Sequence, residues 1–353
     1  MPRNVPQVES PIAVEPWHAT APPEFHADSA PLIDVEDVPD CPVCACGRFS
    51  QHAVGFDYEL RTCRNTWRFV KCAACSHVWL NPRPAISTLP TIYPPHYYAY
   101  HYTEKVSPLA LKAKNWLDRR KFASLLAALG RPPRAFVDIG CGDGRYLRFA
   151  ERAGVPKERD YGLELDRAVV DRLVAQGYAG LCRRVEDCTE IAPGSIDLAT
   201  MFHVIEHVDD PRTVVRRAAE WIAPGGIFAV ETPNIDSPDA RIFTRTYWGG
   251  YHIPRHWNMF SPPTLSRLLT DAGLEVVDTR FQTGHSFWMY SLHHRTRYNR
   301  GGGAFRRALS RCFDPFGGLP SMPALATFTA LDKWRALTGM ATSSMLMIAR
   351  RPA

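Results

Sequence analysis

The chain has 353 residues, 45% of them hydrophobic, and a formal net charge of +6. That length holds one large or two modest domains with an ordinary core, and so mild a charge is no nucleic-acid signature by itself. No apolar run is long enough to span a bilayer and no basic-then-apolar start marks secretion, so a cytoplasmic location is expected.

Residues 1–38 are proline-rich and acidic, without periodicity, and read as a disordered tail or extended arm. Residues 39–80 form a small cysteine module. Cys41-Pro42-Val43-Cys44 and Cys72-Ala73-Ala74-Cys75 are two knuckles whose four thiolates suit a closed, structural zinc site. Short strands are expected between them, at Tyr58–Arg61 and Trp67–Lys71, in a zinc-ribbon pattern. So short a segment hardly builds a core without a metal. Cys46, Cys63 and His77 are spare ligands, and Cys46 lies close enough to Cys44 for a swap; the alternative is that the thiols are reduced and merely packed.

Residues 81–133 make a linker and a helix. Tyr93, Tyr97, Tyr98, Tyr100 and Tyr102 either face a polar acceptor or wedge two modules together. An amphipathic helix is expected over 107–130, stopped by Arg131-Pro132-Pro133.

Residues 134–353 carry seven strand candidates: Phe136–Ile139, Tyr161–Leu165, Gly180–Arg183, Ile196–Phe202, Ile227–Glu231, Leu274–Phe281 and Ser344–Ala349. Helical stretches separate most of them, which implies an α/β, Rossmann-like doubly wound sheet. The first strand breaks into Gly140-Cys141-Gly142-Asp143-Gly144 and a helix from Arg145. Bare backbone N–H groups at a helix start can receive a ligand directly. The spacing is G-x-G-x-G, not the dinucleotide G-x-G-x-x-G, and Asp138 just before it suits a cationic ligand better than phosphate.

This turn resembles motif I of the class I S-adenosylmethionine-dependent methyltransferases. The resemblance continues through Tyr161-Gly162-Leu163-Glu164, Ser195–Ala199, His203–Val208 and Ala223-Pro224-Gly225-Gly226. Within that family the chain is most similar to the branch of the ubiquinone O-methyltransferases and the sugar methyltransferases with an N-terminal zinc module. The resemblance implies a last strand running antiparallel between the fifth and sixth. It implies that Asp138, Gly140, Gly142 and Gly144 hold the methionine part and ribose, and that Glu164 takes the ribose hydroxyls, with Asp166 as fallback. Glu186 and Asp187 stand where the family reads adenine, although Arg184 replaces an aspartate common there. In the ubiquinone branch a Glu-x-x-Glu-His arrangement binds magnesium. Here it reads His203-x-x-Glu206-His207, a departure that leaves magnesium open.

An oxygen or carbon acceptor needs a base to remove its proton, and histidine suits neutral pH. His203, His207, His252 and His256 are the candidates. The loop after Glu231-Thr232-Pro233-Asn234 carries Trp248–Trp257 and reads as an acceptor lid that closes at the Ser261-Pro262 helix start. There His256 is the expected base and Arg255 the expected partner of a polar or anionic acceptor group. The excursion 284–340 mixes apolar and basic residues. It either covers the acceptor, packs ordinarily, or makes a peripheral contact with an anionic membrane. The leading expectation is methyl transfer to a sugar, polyketide or quinone-like small molecule, without nucleic acid. The alternatives are a nicotinamide dehydrogenase, disfavoured by the glycine spacing, and a zinc ribbon binding or modifying RNA through Arg61, Arg64, Arg68 and Lys71. Oligomeric state is not legible.

Overall fold

A computed structural model describes residues 21–94, 108–298 and 304–353. Residues 1–20 of the expected tail, and Tyr97, Tyr98, Tyr100 and Tyr102, lie outside the described residues. The rest of the expected tail is ordered. Phe25 stacks on Phe56 with ring centroids 4.1 Å apart. The Asn65 amide clasps both backbone groups of Ile33 at 2.9 Å. Strand β1 (Val35–Glu36) pairs antiparallel with β5 (Arg83–Pro84). The acidic, proline-rich composition concealed Phe25 and Ile33, whose burial against the cysteine module fixes this segment.

Three strands of the cysteine module form an antiparallel meander: β2 (Phe49–Gly55), β3 (Trp67–Cys72) and β4 (Val78–Leu80). The expected strand Tyr58–Arg61 is a turn instead. The Asp57 carboxylate accepts from Leu60 N, Thr62 N and Thr62 Oγ1 at 3.1, 2.8 and 2.6 Å, and these bonds bend the chain there.

The main sheet contains β6 (Phe136–Ile139), β7 (Asp160–Leu163), β8 (Ala179–Leu181), β9 (Ile196–Phe202), β10 (Ile222–Pro233), β12 (Glu275–Gln282) and β13 (Ser344–Arg350). Its order is β12-β13-β10-β9-β6-β7-β8, with β13 antiparallel to both neighbours, as the family resemblance implied. Central strands here are covered on both faces, so they read as continuous apolar runs. Val137 and Ile139 enter one core cluster and Phe136 another, the alternation expected of a strand. The helix expected over 107–130 spans Pro108–Leu129.

The long loop after β10 holds a short helix, Pro238–Phe243, and then a two-residue strand, β11 (Asn258–Met259). That strand does not join the main sheet. It pairs antiparallel with β4, Asn258 opposite Trp79 and Met259 opposite Val78, and becomes the fourth strand of the cysteine module. Ser261 then opens helix Pro262–Asp271 with a reciprocal capping box to Thr264.

A buried ion pair locks the same junction. The Arg255 guanidinium meets Asp57 in bidentate fashion, Nη2–Oδ2 3.0 Å and Nη1–Oδ1 3.2 Å, with both side chains 0% exposed. It also donates to the Ile92 and Ile253 carbonyls at 2.7 and 2.9 Å. Arg255 therefore does not face an acceptor, as the sequence had suggested; it ties the lid to the module. Burial alone would raise the Asp57 pKa, but the guanidinium outweighs it and holds the carboxyl below its usual range. Removing one partner strands a buried charge. Arg255→Ala is expected to lower unfolding stability by about 3–5 kcal/mol in denaturant titration. A loss under about 1 kcal/mol, the range of exposed pairs, would contradict this role.

Candidate active site

The glycine turn follows β6 and borders a cleft of about 840 Å³ at the carboxyl ends of β6, β7 and β9. Gly140 lines it at φ +73°, and a Cβ there would come within 2.3 Å of Val204 Cγ2, so only glycine leaves the floor open. Glu164 stands at the end of β7 in the cleft wall. Its Oε2 accepts from Gly142 N at 3.1 Å and its Oε1 from Leu165 N at 2.7 Å. Each oxygen keeps capacity for a further donor. Asp166 also borders the cleft, but its carboxylate caps helix Arg167–Ala175 by accepting from Ala168 N and Val169 N.

Not every residue expected at this site reaches it. Asp138 is buried beneath the turn, where Thr200 Oγ1 donates to it at 2.6 Å, and burial pushes its pKa up to about 7. Gly144 packs on Leu173 at the start of helix Arg145–Arg152 and is not part of the cleft wall. Glu186 borders the cleft, whereas Asp187 is exposed and does not. The Arg184 guanidinium donates to Glu186 at 2.7 Å and also pairs with Asp209, so the cleft wall here is an ion-paired arginine.

A second cavity of about 420 Å³ adjoins the first, and Tyr93, His203 and His207 border both. The first shared residue, Tyr93, is one of the linker tyrosines. Further walls come from the lid (Gly249, His252, His256), from Phe287 and Tyr290 of helix His285–Tyr298, and from Glu59 of the cysteine module. The start of the excursion 284–340 thus lines this cavity.

The four histidines differ in the partners of their ring nitrogens. His203 sits at φ +56° after β9, with Nδ1 3.3 Å from Glu206 Oε1 and Nε2 3.5 Å from Glu231 Oε1. Carboxylates only accept, so both nitrogens carry protons. Burial would lower the His203 pKa, but the two carboxylates outweigh it and push it up to about 9. The side chain is 46% exposed toward the cavity, which screens part of that effect. As an imidazolium it has no lone pair to take a proton. This arrangement suits His203 to holding a proton rather than to taking one.

His256 is arranged the opposite way. Its Nδ1 lies 2.8 Å from the Gly250 carbonyl, an acceptor only, so Nδ1 carries the proton and Nε2 the lone pair. Burial, with His207 and His252 close by, pushes its pKa well below the usual value. His207 is pinned similarly, Nδ1 3.0 Å from the Arg255 carbonyl, with Tyr93 Oη also at 3.0 Å. Burial lowers its pKa to about 4. The His207 and His256 rings meet edge to face at 4.6 Å. His252 donates from Nδ1 to Glu59 Oε1 at 2.8 Å.

The family described as Methyltransferase domain matches residues 110–279. The ubiquinone biosynthesis O-methyltransferase of Neisseria meningitidis serogroup C is 30% identical over 163 residues, 42% of this chain and 67% of the relative. The enzyme of the same name from Pseudomonas paraeruginosa is 30% identical over 187 residues, 49% of this chain and 73% of the relative. The chain is a class I S-adenosylmethionine-dependent methyltransferase. A solved S-adenosylmethionine-dependent methyltransferase from Archaeoglobus fulgidus overlaps 67% of this chain and 94% of its own, at 16% identity and a TM-score of 0.43.

Magnesium does not fit this methyltransferase at the His203-x-x-Glu206-His207 position. A hard cation wants several oxygens. Glu206 is the one carboxylate of that motif, and its oxygens already meet His203 and Thr232 Oγ1, the latter at 2.9 Å. Glu206, His207 and His256 do bring ligand atoms within 4.8 Å of one another, a mixed oxygen and nitrogen set.

The four knuckle cysteines fit zinc. Their sulfurs all lie within 4.8 Å of one another, with Cys41–Cys75 and Cys44–Cys72 at 3.5 Å. A tetrahedron with zinc–sulfur bonds of about 2.3 Å needs sulfurs roughly 3.8 Å apart. The knuckles also match each other in backbone: Ala45 at φ +58° and Ser76 at φ +64° each donate back to the first cysteine's carbonyl. Cys46 and Cys63 are outside the cluster, and buried His77 bonds Asn258 instead. Elemental analysis of the purified enzyme is expected to give about one zinc per chain. Stripping it should lower the melting temperature and acceptor turnover more than affinity for S-adenosylhomocysteine, since β3 and β4 hold the lid and not the donor cleft. A metal-free, fully active preparation would contradict this.

Proposed function

We propose that the enzyme moves a methyl group to an oxygen or carbon atom of a small-molecule acceptor of the sugar, polyketide or quinone-like kind, with His256 as general base. The supporting observation is the His256 tautomer: Nδ1 is committed to Gly250, which leaves the lone pair on Nε2, and His256 lines a cavity that shares Tyr93, His203 and His207 with the donor cleft. The relatives are O-methyltransferases by name, which favours oxygen as the acceptor atom.

S-adenosylmethionine supplies, when bound, a methyl group already activated on a sulfonium. In this reading Gly140 and Gly142 offer the open turn, and Glu164 takes the ribose hydroxyls on its remaining lone pairs. Glu186 and Arg184 border the adenine end. Asp138 acts from below, by fixing the turn through Thr200. His256 removes the acceptor proton while the cavity walls hold the acceptor in line, and such alignment supplies much of the rate. His207 packs edge to face against His256 and keeps its ring in place. The His203 imidazolium stands at the junction of cleft and cavity, where it can stabilise negative charge developing on an oxygen acceptor.

Small-molecule chemistry is also favoured over RNA by two of the module's four basic candidates, Arg61 and Arg68, while Arg64 and Lys71 are exposed. Arg61 donates to the His26 carbonyl, and Arg68 to the Asn81 carbonyl at 3.1 Å. Both are committed to the fold.

Acceptor screening with labelled S-adenosylmethionine tests this reading. His256→Ala is expected to lower kcat by about 10²–10⁴ with donor affinity retained. Unchanged turnover would end the base assignment. The pH profile follows from the shifts. His256 and His207 have depressed pKa values and stay neutral down through pH 6.5, so the acidic limb of kcat/KM should lie below the ordinary histidine value. The raised His203 loses its proton near pH 9, so rates should decline there. An acidic limb at or above 6.5 would contradict His256.

A further inference from the structure

The small cavity has a wall that the methyl-transfer chemistry does not use. Glu59 reaches it from the turn after β2, and its side chain is 6% exposed. Oε1 accepts from His252, but Oε2 is buried with no hydrogen-bond partner. Leaving a buried carboxylate oxygen unpaired is costly unless something that binds there satisfies it. No lysine or arginine is among the described residues lining this cavity, while two carboxylates, Glu59 and Glu206, are. Aromatic faces of Tyr93, Phe287 and Tyr290 complete the enclosure. The one cation among the described lining residues, the His203 imidazolium, is already faced by the Glu206 and Glu231 carboxylates, so at the Glu59 end the set suits a ring that carries a hydrogen-bond donor and disfavours an anion.

We propose that Glu59 is a specificity-determining residue that receives a hydroxyl or ammonium donor on the acceptor ring. The cysteine module thereby supplies one of the contacts that choose the substrate. This rests on the reading of the small cavity as the acceptor site. It excludes acceptors whose carboxylate or phosphate would enter the cavity; such groups belong outside it.

Calorimetric titration of the full-length enzyme, loaded with S-adenosylhomocysteine, tests this with three matched probes: catechol, benzylamine and benzoate. A donor probe should bind at least about tenfold more tightly than benzoate. Glu59→Gln retains volume and an acceptor for His252 but turns an N–H2 group toward the ligand. It should cost the donor probe about tenfold and leave benzoate unchanged or bound more tightly. Preference for catechol identifies a hydroxyl, preference for benzylamine an ammonium. Retained affinity for S-adenosylhomocysteine shows that the variant is folded; if it is not, the wild-type ranking decides alone. Benzoate matching the donor probes, no change on substitution, or no binding by any probe would overturn the proposal. Probe binding requires no turnover, so it stands apart from methyl transfer, which fails separately if labelled S-adenosylmethionine neither binds nor reacts.

Discussion

The buried pair between Asp57 and Arg255 is the constraint on which the site depends. Two full charges with no solvent exposure are tolerable only because every acceptor and donor is satisfied, and that demands one arrangement of two distant segments. Asp57 shapes the turn that carries Glu59. Arg255 is the residue before His256. A single ion pair therefore fixes, at once, a cavity wall from the cysteine module and the imidazole from the lid. The pairing of β11 with β4 reinforces the same junction through backbone bonds. The lid is thus built as part of the module's sheet and reaches over the donor cleft from outside it.

The histidine cluster shows how environment separates chemically identical side chains. His203 faces two carboxylates and is held charged. His256 and His207 face backbone carbonyls and are held neutral, each with its Nδ1 committed. Glu231 takes part in this division, because Lys121 pairs with it from helix Pro108–Leu129 and keeps it ionised beside His203. Burial would raise the Glu231 pKa, and the lysine outweighs it and drives it far down. Pairs of titratable groups driven apart in this way mark sites where protons are held or moved.

Much of the donor side was legible in the chain. The glycine turn, the acidic end of β7 and the seven strands are local patterns, and all seven strand candidates became strands of one sheet. Local rules failed where a residue's partner is far away in sequence. Tyr58–Arg61 has strand-like composition, but Asp57 bends it. Arg255 looked like a ligand for an acceptor because its partner lies nearly two hundred residues upstream. Asp187 looked like an adenine contact, but only Glu186, paired with Arg184, borders the cleft, and Asp187 faces solvent. Glu59 carries no motif at all, and nothing short of the assembled cavity could have singled it out.

The sequence by itself determined the sheet, the donor turn and the four-cysteine cluster, because each is written in spacing over a few residues: strand periodicity, glycines at a turn, paired knuckles. Tertiary structure alone decided which ring nitrogen of each histidine is committed and which residues enclose the small cavity. Those outcomes depend on which carboxylates and carbonyls face each ring after folding. Such contacts are set by long-range packing between module, lid and sheet, and no local pattern encodes them.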